Sequence, residues 1–320
     1  MLAASFVLTA AALGIDACFG YPNWLFRMVR HPVVWVGSLI SALDRMLNAT
    51  GTRGPGLVAV GVVALVVVVG VSGGIALGVQ AIPGWPGLMI TLLLAATLPA
   101  QRSLHQHVAA VAAGLRVGLA EGRAAVSQIV GRDPEQLDQA GVARAAIESL
   151  AENFADGVVG PAFWGAVAGL PGMAIYKAVN TADSMIGHRT VRYERFGWAA
   201  ARFDDLVNLP VSRLASVWLM VAALIVPGAS VAGAWRAVWR DAGHHRSPNA
   251  GWPEAAMAGA LGFRLAGPRS YGGVVVADGF MGDGRAELDP ADIGRALALY
   301  RIACLVQFGV IAGVALMLRG

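Results

Sequence analysis

The run GLVAVGVVALVVVVGVSGGIALGV, residues 56–79, contains no charged side chain. A transmembrane helix needs about 20 mainly apolar residues to cross the hydrocarbon core of a bilayer, and this run is longer than that. The charge-free region continues to residue 101, and it holds a second apolar run, residues 88–99, after the segment IPGWPG. Because Pro and Gly break helices, the two runs predict a helical hairpin in a membrane.

The composition points the same way. The chain has 320 residues, of which 57% are hydrophobic and 14% are charged, whereas a soluble domain carries about 25% charged residues. The net charge of +4 is modest, and no basic stripe interleaved with aromatic residues marks a nucleic-acid partner. Cys18 and Cys304 lie in apolar stretches, with no disulfide framework or metal-ligand spacing. The expected surroundings are therefore the lipid membrane.

Further apolar runs are 1–15, 157–176, 214–235 and 302–318. The second is interrupted by Pro161, Gly169 and Pro171, and the third contains Pro227. Broken helices are tolerated where they are buried in protein or line a cavity. We therefore predict an all-α, polytopic integral membrane helical bundle with about 4–6 membrane segments. Some are broken or re-entrant, cytoplasmic amphipathic helices accompany them, and residues 1–320 form a single domain.

Arginine placement predicts the orientation. Arginines are frequent in residues 27–53, 102–156 and 188–202, which the positive-inside rule places in the cytoplasm. The protein is then a multi-pass protein of the cell (inner) membrane, with its N-terminus outside and its active site facing the cytoplasm. If residues 236–295 also face the cytoplasm, one apolar run must enter and leave by the same face. Both 157–176 and 214–235 are candidates.

Two amphipathic segments lie before the central region. Residues 103–130 carry apolar side chains at helical spacing, which predicts one amphipathic helix on the surface or against the bundle. The sequence DPEQ, residues 133–136, predicts an N-cap, a proline at N1 and a capping box for the next helix. Gly157 is the predicted C′ residue that ends this helix.

Glu148, Glu152 and Asp156 are spaced i, i+4, i+8. On a helix they fall within about 80° of one another. One interpretation is a carboxylate wall that holds Mg²⁺, which takes few protein oxygens and keeps waters and phosphates as its other ligands. The other is a solvated face with an Arg144–Glu148 ion pair. The spacing leaves both interpretations open.

A second polar cluster follows the run 157–176 directly. Its members are Lys177, Asn180, Asp183 and Ser184. Its lysine, the one lysine of the chain, either binds phosphate as a point charge or snorkels to the membrane interface. The arginines that follow either bind phosphate or set topology. They are Arg189, Arg192 and Arg195.

The polar residues before the run 214–235 also have two interpretations. They are Arg202, Asp204, Asp205 and Asn208. They belong to a site, or the acids favour a helix start through the macrodipole. The chain contains no G-x-x-x-x-G-K-[ST], H-E-x-x-H or C-x-x-C motif, so neither a Walker A loop nor a standard zinc site is expected. The residues alone predict a membrane protein with a dense polar site suited to Mg²⁺ and phosphate.

Five stretches of the chain carry a family resemblance. They are HPVVWVG (31–37), GRDPEQLD (131–138), ARAAIESLAENFADGVVGPAFW (143–164), YKAVNTADSMIGHRTVRYERFGWAAARFDDLVN (176–208) and SPNAGWPEAAMAGALG (247–262). In these stretches and in their order, the sequence resembles the CobD/CbiB family of cobalamin biosynthesis, the adenosylcobinamide-phosphate synthases. Phe154 and Ala182 depart from the family's usual residues, but neither removes a charged group.

The resemblance implies an integral membrane enzyme that consumes ATP with Mg²⁺. It would join adenosylcobyric acid to (R)-1-aminopropan-2-ol O-phosphate, or to a related amino alcohol, through an amide bond. The residues that it implies as catalytic are Glu148, Glu152, Lys177 and Asp183. Those implied as metal ligands are Glu148, Glu152 and Asp156. Those implied to bind substrate or phosphate are Asn153, Asn180, Ser184, Arg189, Arg192, Arg202, Asp205, Asn208 and Asn249.

A different class of function is the alternative. The chain could be a membrane transporter, or a scaffold for other enzymes that act on corrinoids, with its charged groups lining a substrate path. A transporter usually shows two related halves, and this sequence shows no such repeat. Other corrinoid-pathway enzymes are candidate partners under either interpretation.

Overall fold

The computed structural model describes residues 2–48, 55–131, 134–267, 269–271, 274–276 and 279–320. They form two compact units, each built from separate parts of the chain. The first unit comprises Met1–Ala100, Gly160–Asn208 and Ile311–Gly320. The second comprises Gln101–Val159 and Leu209–Val310. The prediction of a single domain stays a prediction.

Helices dominate both units. In chain order they are α1 (Leu2–Phe19), α2 (Asn23–Val29), α3 (Pro32–Leu47), α4 (Pro55–Gln80), α5 (Gly84–Ala96), α6 (Gln101–Val117), α7 (Leu119–Val126), α8 (Gln139–Phe154), α9 (Gly160–Ile186), α10 (Trp198–Ala223), α11 (Val231–Asp241), α12 (Gly251–Leu261) and α13 (Pro290–Met317). A π-helical turn, Ala155–Val159, joins α8 to α9, and Ala242–His244 form a 3₁₀ turn. The short strands are β1 (Leu265–Ala266), β2 (Arg269–Tyr271), β3 (Val274–Val276) and β4 (Phe280–Met281), paired antiparallel as β1–β4 and β2–β3.

The prediction of an all-α polytopic membrane protein is confirmed. Within the described residues, six helical segments are long and apolar enough to cross a membrane. They are Leu2–Phe19, Gly56–Gln80, Gly84–Val117, Gln139–Ile186, Trp198–Ala223 and Pro290–Met317. Exposed apolar side chains such as Val66 and Ile75 lie on the surface of α4, where lipid tails would cover them.

Small apolar side chains make the core of the first unit. Ala178, Ala182 and Ile186 of α9 pack with Ile40 of α3 and Val68 of α4. The close approach of α4 to the backbone at Phe196 depends on glycine. A Cβ on Gly61 of α4 would lie 2.0 Å from the carbonyl oxygen of Phe196. A stripe of small residues lets membrane helices approach closely without needing a hydrophobic driving force between them.

Helix α9 is broken, as the sequence predicts for residues 157–176. Gly169 has φ 65° and ψ −151°, and Pro171 follows two residues later. The backbone N–H of Leu170 donates to Oε1 of Gln80, at 3.1 Å. A helix break at membrane depth requires such a partner, because the freed backbone group cannot bond to lipid. Re-entry of this segment stays a prediction.

The single amphipathic helix predicted over residues 103–130 is instead two helices. Gly118 separates α6 from α7, and the two pack against each other. A Cβ on Gly114 would lie 2.8 Å from the carbonyl oxygen of Glu121, so the turn needs a glycine on its inner face. The apolar face of α6, including Val108 and Val111, is buried as predicted. Periodicity alone did not register the turn, because both helices continue the same apolar spacing.

Both predicted ends of the next helix are wrong. The helix begins at Gln139, where the Asp138 carboxylate caps it by accepting from Gly141 N at 2.6 Å. Pro134 lies before it, and Asp133 falls outside the described residues. Gly157 does not end it either, because the π-helical turn carries the chain on into α9. A glycine marks a helix end only when the backbone there turns left-handed.

The apolar run 214–235 is divided between two helices. Helix α10 begins earlier, at Trp198, and ends at Ala223, and α11 begins at Val231. Arg202, Asp204, Asp205 and Asn208 are therefore part of the candidate span rather than a segment before it. Charged groups at such positions are rare and usually functional.

His31 joins α3 to the end of α5. Its Nδ1 accepts from Val33 N at 3.2 Å and caps α3, and its Nε2 lies 2.9 Å from the carbonyl oxygen of Thr97. Only a neutral ring with its proton on Nε2 satisfies both bonds. Burial lowers the pKa of His31 below its usual value, although its bond to Thr97 opposes this.

This depressed pKa predicts that acid destabilises the protein. The unfolded chain binds a proton on His31 more readily than the folded chain does, so this contribution is complete above about pH 6.5 and is lost as pH falls below it. We expect a loss of about 1 kcal/mol, the scale of one helix cap. Thermal unfolding in detergent at pH 7.5 and 5.5 measures it. His31→Asn, which can cap but does not titrate, should show a smaller acid shift; an equal shift would contradict the assignment.

Candidate functional site

Polar side chains of α9 and α10 meet in the first unit. Tyr176, Asn180 and Asp183 lie at i, i+4 and i+7 on α9, and Asp204 and Asn208 lie at i and i+4 on α10. These five residues are called the polar ladder below. Their spacing puts each set on one helix face.

Direct bonds order the polar ladder. Tyr176 Oη donates to Asn208 Oδ1 at 2.7 Å, and Asn208 Nδ2 donates to Asp204 Oδ2 at 2.9 Å. Asn180 interacts with the same Asp204 carboxylate, and the charge of Asp183 lies within electrostatic range of it. Later residues of α9 therefore meet earlier residues of α10, so the two helices run antiparallel here. Tyr176, Asp204 and Asn208 are buried, while Asn180 and Asp183 are half-buried.

Other predicted residues lie around the ladder. Arg202 Nη1 pairs with Asp205 Oδ2 at 2.9 Å, and Asp205 also interacts with Arg189 and Asp183. Half-buried Lys177 lies within electrostatic range of His31. The structure thus gathers much of the predicted cluster in one unit. The residues gathered are Lys177, Asn180, Asp183, Ser184, Arg189, Arg202, Asp205 and Asn208.

Arg192 has a different partner. Its Nη2 lies 2.6 Å from Asp44 Oδ2, and the hydroxyl of Tyr193 donates to the same oxygen at 3.3 Å. Asp44 also accepts from Asn48 at 2.8 Å. Arg192 therefore ties the segment 187–197 to α3, and its predicted phosphate contact stays a prediction.

The acids of α8 lie in the second unit and differ in their surroundings. Glu148 is 7% exposed, Glu152 is exposed and Asp156 is half-buried within the π-helical turn. Across the described parts of the chain, no group of three His, Cys, Asp or Glu side chains is arranged to hold a metal ion. The π-helical turn changes the angular step between residues, which the ideal helix behind the predicted wall does not include.

Glu148 has a structural role in the second unit. Its Oε1 accepts from Ala266 N at 2.8 Å, and Ala266 has φ 56°, which is unusual for a residue with a side chain. One turn earlier, Arg144 Nη1 donates to the carbonyl oxygen of Ala286 at 2.7 Å. This face of α8 thus holds the segment that contains the short strands.

Alanine substitutions at Glu148 and Glu152 should differ in their effect on stability. We expect Glu148→Ala to lower the free energy of unfolding by about 2 kcal/mol, because it removes the charged acceptor of the backbone N–H of half-buried Ala266. Glu152→Ala, on the exposed side of the same helix, should change it by less than about 0.5 kcal/mol. Thermal unfolding in detergent measures both, and equal effects would contradict the structural role of Glu148.

The remaining predicted residues, Asn153 and Asn249, also belong to the second unit. Asn153 Nδ2 donates to the carbonyl oxygen of Ser149 at 2.9 Å, within its own helix. Asn249 is buried, and its Oδ1 accepts from Ser212 Oγ at 3.0 Å and Arg213 Nη1 at 2.8 Å. Asn249 thus joins the segment before α12 to α10.

Sequence reasoning did not consider Tyr176, which ends an apolar run. It named Asp204 together with Arg202, Asp205 and Asn208 but assigned it no role in the site. A signal for each was present in the spacing, since Tyr176 stands four residues before Asn180 and Asp204 four before Asn208. That spacing predicts shared faces, but not that the two faces meet.

Comparison with known proteins identifies the family of the chain. The sequence model of the family described as "CobD/Cbib protein" matches residues 9–300. A relative from Sinorhizobium sp is 51% identical over 316 residues, covering 97% of this chain and 98% of the relative. One from Rhodobacter capsulatus is 53% identical over 303 residues, covering 92% and 93%. One from Brucella suis is 42% identical over 319 residues, covering 97% of both.

These relatives are all named "Cobalamin biosynthesis protein CobD". No solved structure matches the chain. The protein is a polytopic helical membrane protein with a polar cluster in its candidate spans. It belongs to the CobD/CbiB family, a family of cobalamin biosynthesis.

Proposed function

We propose that the chain is an adenosylcobinamide-phosphate synthase. It would join adenosylcobyric acid to (R)-1-aminopropan-2-ol O-phosphate, or to a related amino alcohol, in an ATP-dependent reaction. Family membership supports the corrinoid substrate. The observation that carries the proposal is the polar ladder, which places carboxylates, amides and a phenol inside helices long and apolar enough to span a membrane. Groups so costly in hydrocarbon mark a functional site.

Amide formation explains why such groups are needed. A carboxylate is a poor acyl donor, so an oxygen of the substrate carboxylate first takes the γ-phosphoryl group of ATP and ADP leaves. The amine nitrogen then attacks the acyl carbon, and phosphate leaves with that carboxylate oxygen. The amine must lose a proton, which half-buried Asp183 can accept. Lys177 offers a point charge for phosphate, and Tyr176 and the amide of Asn208 hold the Asp204 carboxylate in place.

Mg²⁺ belongs to this proposal because it would screen the phosphate charges of bound ATP. The predicted wall of Glu148, Glu152 and Asp156 does not fit a shared metal site well. Glu148 is buried and bonded to Ala266 N, and the described residues hold no three-acid group for a metal. The metal role of these acids stays a prediction.

An assay of purified protein in detergent tests the proposed reaction. Adenosylcobyric acid is supplied with ATP and either the phosphorylated or the free amino alcohol, and corrinoid products are identified by mass spectrometry. We expect product with at least one amino alcohol and only when ATP is present. The transporter and scaffold alternatives predict no product; corrinoid uptake by proteoliposomes without product formation would favour a transporter.

We also propose that the segment 187–197 faces the cytoplasm of the inner membrane, where ATP is found. Val191 is fully exposed there. In a Cys18→Ser, Cys304→Ser background, Val191→Cys should resist a membrane-impermeant thiol reagent in intact cells and react after lysis. Strong labelling of intact cells would reverse the proposed orientation.

A further inference from the structure

Asp204 is a buried carboxylate of the polar ladder, and the amides of Asn208 and Asn180 both interact with it. It is 8% exposed, and its Oδ2 accepts from Asn208 Nδ2. Its Oδ1 is buried and has no hydrogen-bond partner in the described structure. A buried carboxylate oxygen left in this state carries a large desolvation penalty unless a cation or a proton compensates it.

The neighbours of Asp204 add negative charge. Asp183 and Asp205 both repel it electrostatically. Asp205 is paired with Arg202 at 2.9 Å, so that guanidinium is already engaged. His188 and Arg202 offset part of the charge of Asp183. The charged groups that act on Asp204 are Asp183 and Asp205, both negative, and neighbouring like charges disfavour the ionised form of each carboxyl group.

The backbone keeps room for the second carboxylate. A Cβ on Gly187 would lie 1.9 Å from Asp183 Oδ1 and 2.7 Å from the Asp183 carbonyl oxygen. The end of α9 therefore accommodates the Asp183 side chain only because residue 187 has none. Asp183 itself is half-buried, so solvent or a phosphate oxygen can approach it.

We propose that Asp204 and Asp183 each give one carboxylate oxygen to a divalent cation of the Mg²⁺ class, which leaves the second oxygen of Asp183 to accept the amine proton. Mg²⁺ is usually held by one or two carboxylates and completes its octahedron with waters and substrate phosphates, so a three-acid group is not required. Asn208 turns the Asp204 carboxylate so that one oxygen is bonded and the other is left for the cation. The proposal deepens the proposed function, since it places the cation that ATP chemistry requires in the polar ladder rather than on α8.

Metal binding can be measured without the reaction. The full chain in detergent is titrated with Mn²⁺, and free Mn²⁺ is followed by electron paramagnetic resonance. In parallel, the unfolding temperature is recorded with and without Mg²⁺. Wild type should bind Mn²⁺ and unfold at a higher temperature with Mg²⁺. Asp204→Asn should bind Mn²⁺ at least tenfold more weakly and lose the Mg²⁺ response. Without Mg²⁺ it should be more stable than wild type, because the repulsion is gone.

Controls make each outcome decisive. Glu152→Gln tests the acids of α8 and should keep Mn²⁺ binding. If Asp204→Asn fails to fold, Asp183→Asn takes its place and should show the same loss of Mn²⁺ binding. Unchanged Mn²⁺ affinity in folded Asp204→Asn and Asp183→Asn, or loss in Glu152→Gln instead, would overturn the proposal. So would a wild type that neither binds Mn²⁺ nor responds to Mg²⁺, since a shared proton would then compensate the pair. ATP-dependent product formation that continues in any of these cases would leave the proposed function standing.

Discussion

Asp183→Asn should reduce ATP-dependent amide formation by about 1,000-fold while the protein stays folded. The change keeps the shape of the side chain but removes its charge, so residue 183 can neither take a proton nor hold the proposed cation. Loss of a positioned general base alone costs about 10²–10⁴ in rate. Asp183 is the half-buried carboxylate of the polar ladder, so a substrate can reach it, whereas Asp204 is buried. Product per enzyme is measured by mass spectrometry at saturating ATP.

A matched acid in the same region provides the control. Glu194 is exposed in the segment 187–197 and is not part of the polar ladder. Glu194→Gln removes the same charge and should leave turnover within about twofold of wild type. If Asp183→Asn also keeps turnover near wild type, with an unchanged unfolding temperature, Asp183 takes no part in the chemistry.

Gly160→Ala should lower the free energy of unfolding by about 3 kcal/mol, although alanine is the better helix former. A Cβ at residue 160 would lie 2.1 Å from Cζ and 2.2 Å from Oη of Tyr176. Tyr176 is 2% exposed and bonded to Asn208, so its ring cannot move without breaking the end of the ladder. The variant should therefore lose activity together with stability.

Gly78→Ala is the opposite case on another helix of the same unit. Nothing lies within 4 Å of a Cβ built at residue 78. Alanine there should be neutral, or stabilising by up to about 1 kcal/mol, through helix propensity alone. Thermal unfolding in detergent compares the two variants. Similar effects at residues 160 and 78 would show that the packing of Tyr176 on α9 is not as described.

The sequence predicted the helices of the membrane because apolar length is a one-dimensional signal. The run 56–79 lies within α4, and the run 302–318 follows α13 to its end at Met317. The interruption of 157–176 is a real break at Gly169. The ends of helices were harder. Gly118 and Asp138 precede the first residues of α7 and α8, and local backbone angles and hydrogen bonds set these two helix starts. Amino-acid composition predicts such local geometry only weakly.

The sequence predicted many of the residues of the site, but it did not predict which of them are in contact. The spacing predicted that Glu148, Glu152 and Asp156 share one helix face. In the structure, Glu148 accepts a hydrogen bond from the backbone N–H of Ala266. Asp204 and Tyr176 gained their roles from the antiparallel meeting of α9 and α10. Such a pairing depends on the register between two helices, and the residue spacing within one helix does not predict that register.

The most direct test of the proposed ligase is the stoichiometry of its reaction. Purified protein in detergent receives adenosylcobyric acid, the amino alcohol phosphate, Mg²⁺ and limiting ATP, and adenosylcobinamide phosphate and ADP are quantified together. We predict one ADP for each amide bond formed, with no product when ATP is omitted. Product that forms without ATP, or ATP hydrolysis by folded protein with no amide from either amino alcohol, would contradict it.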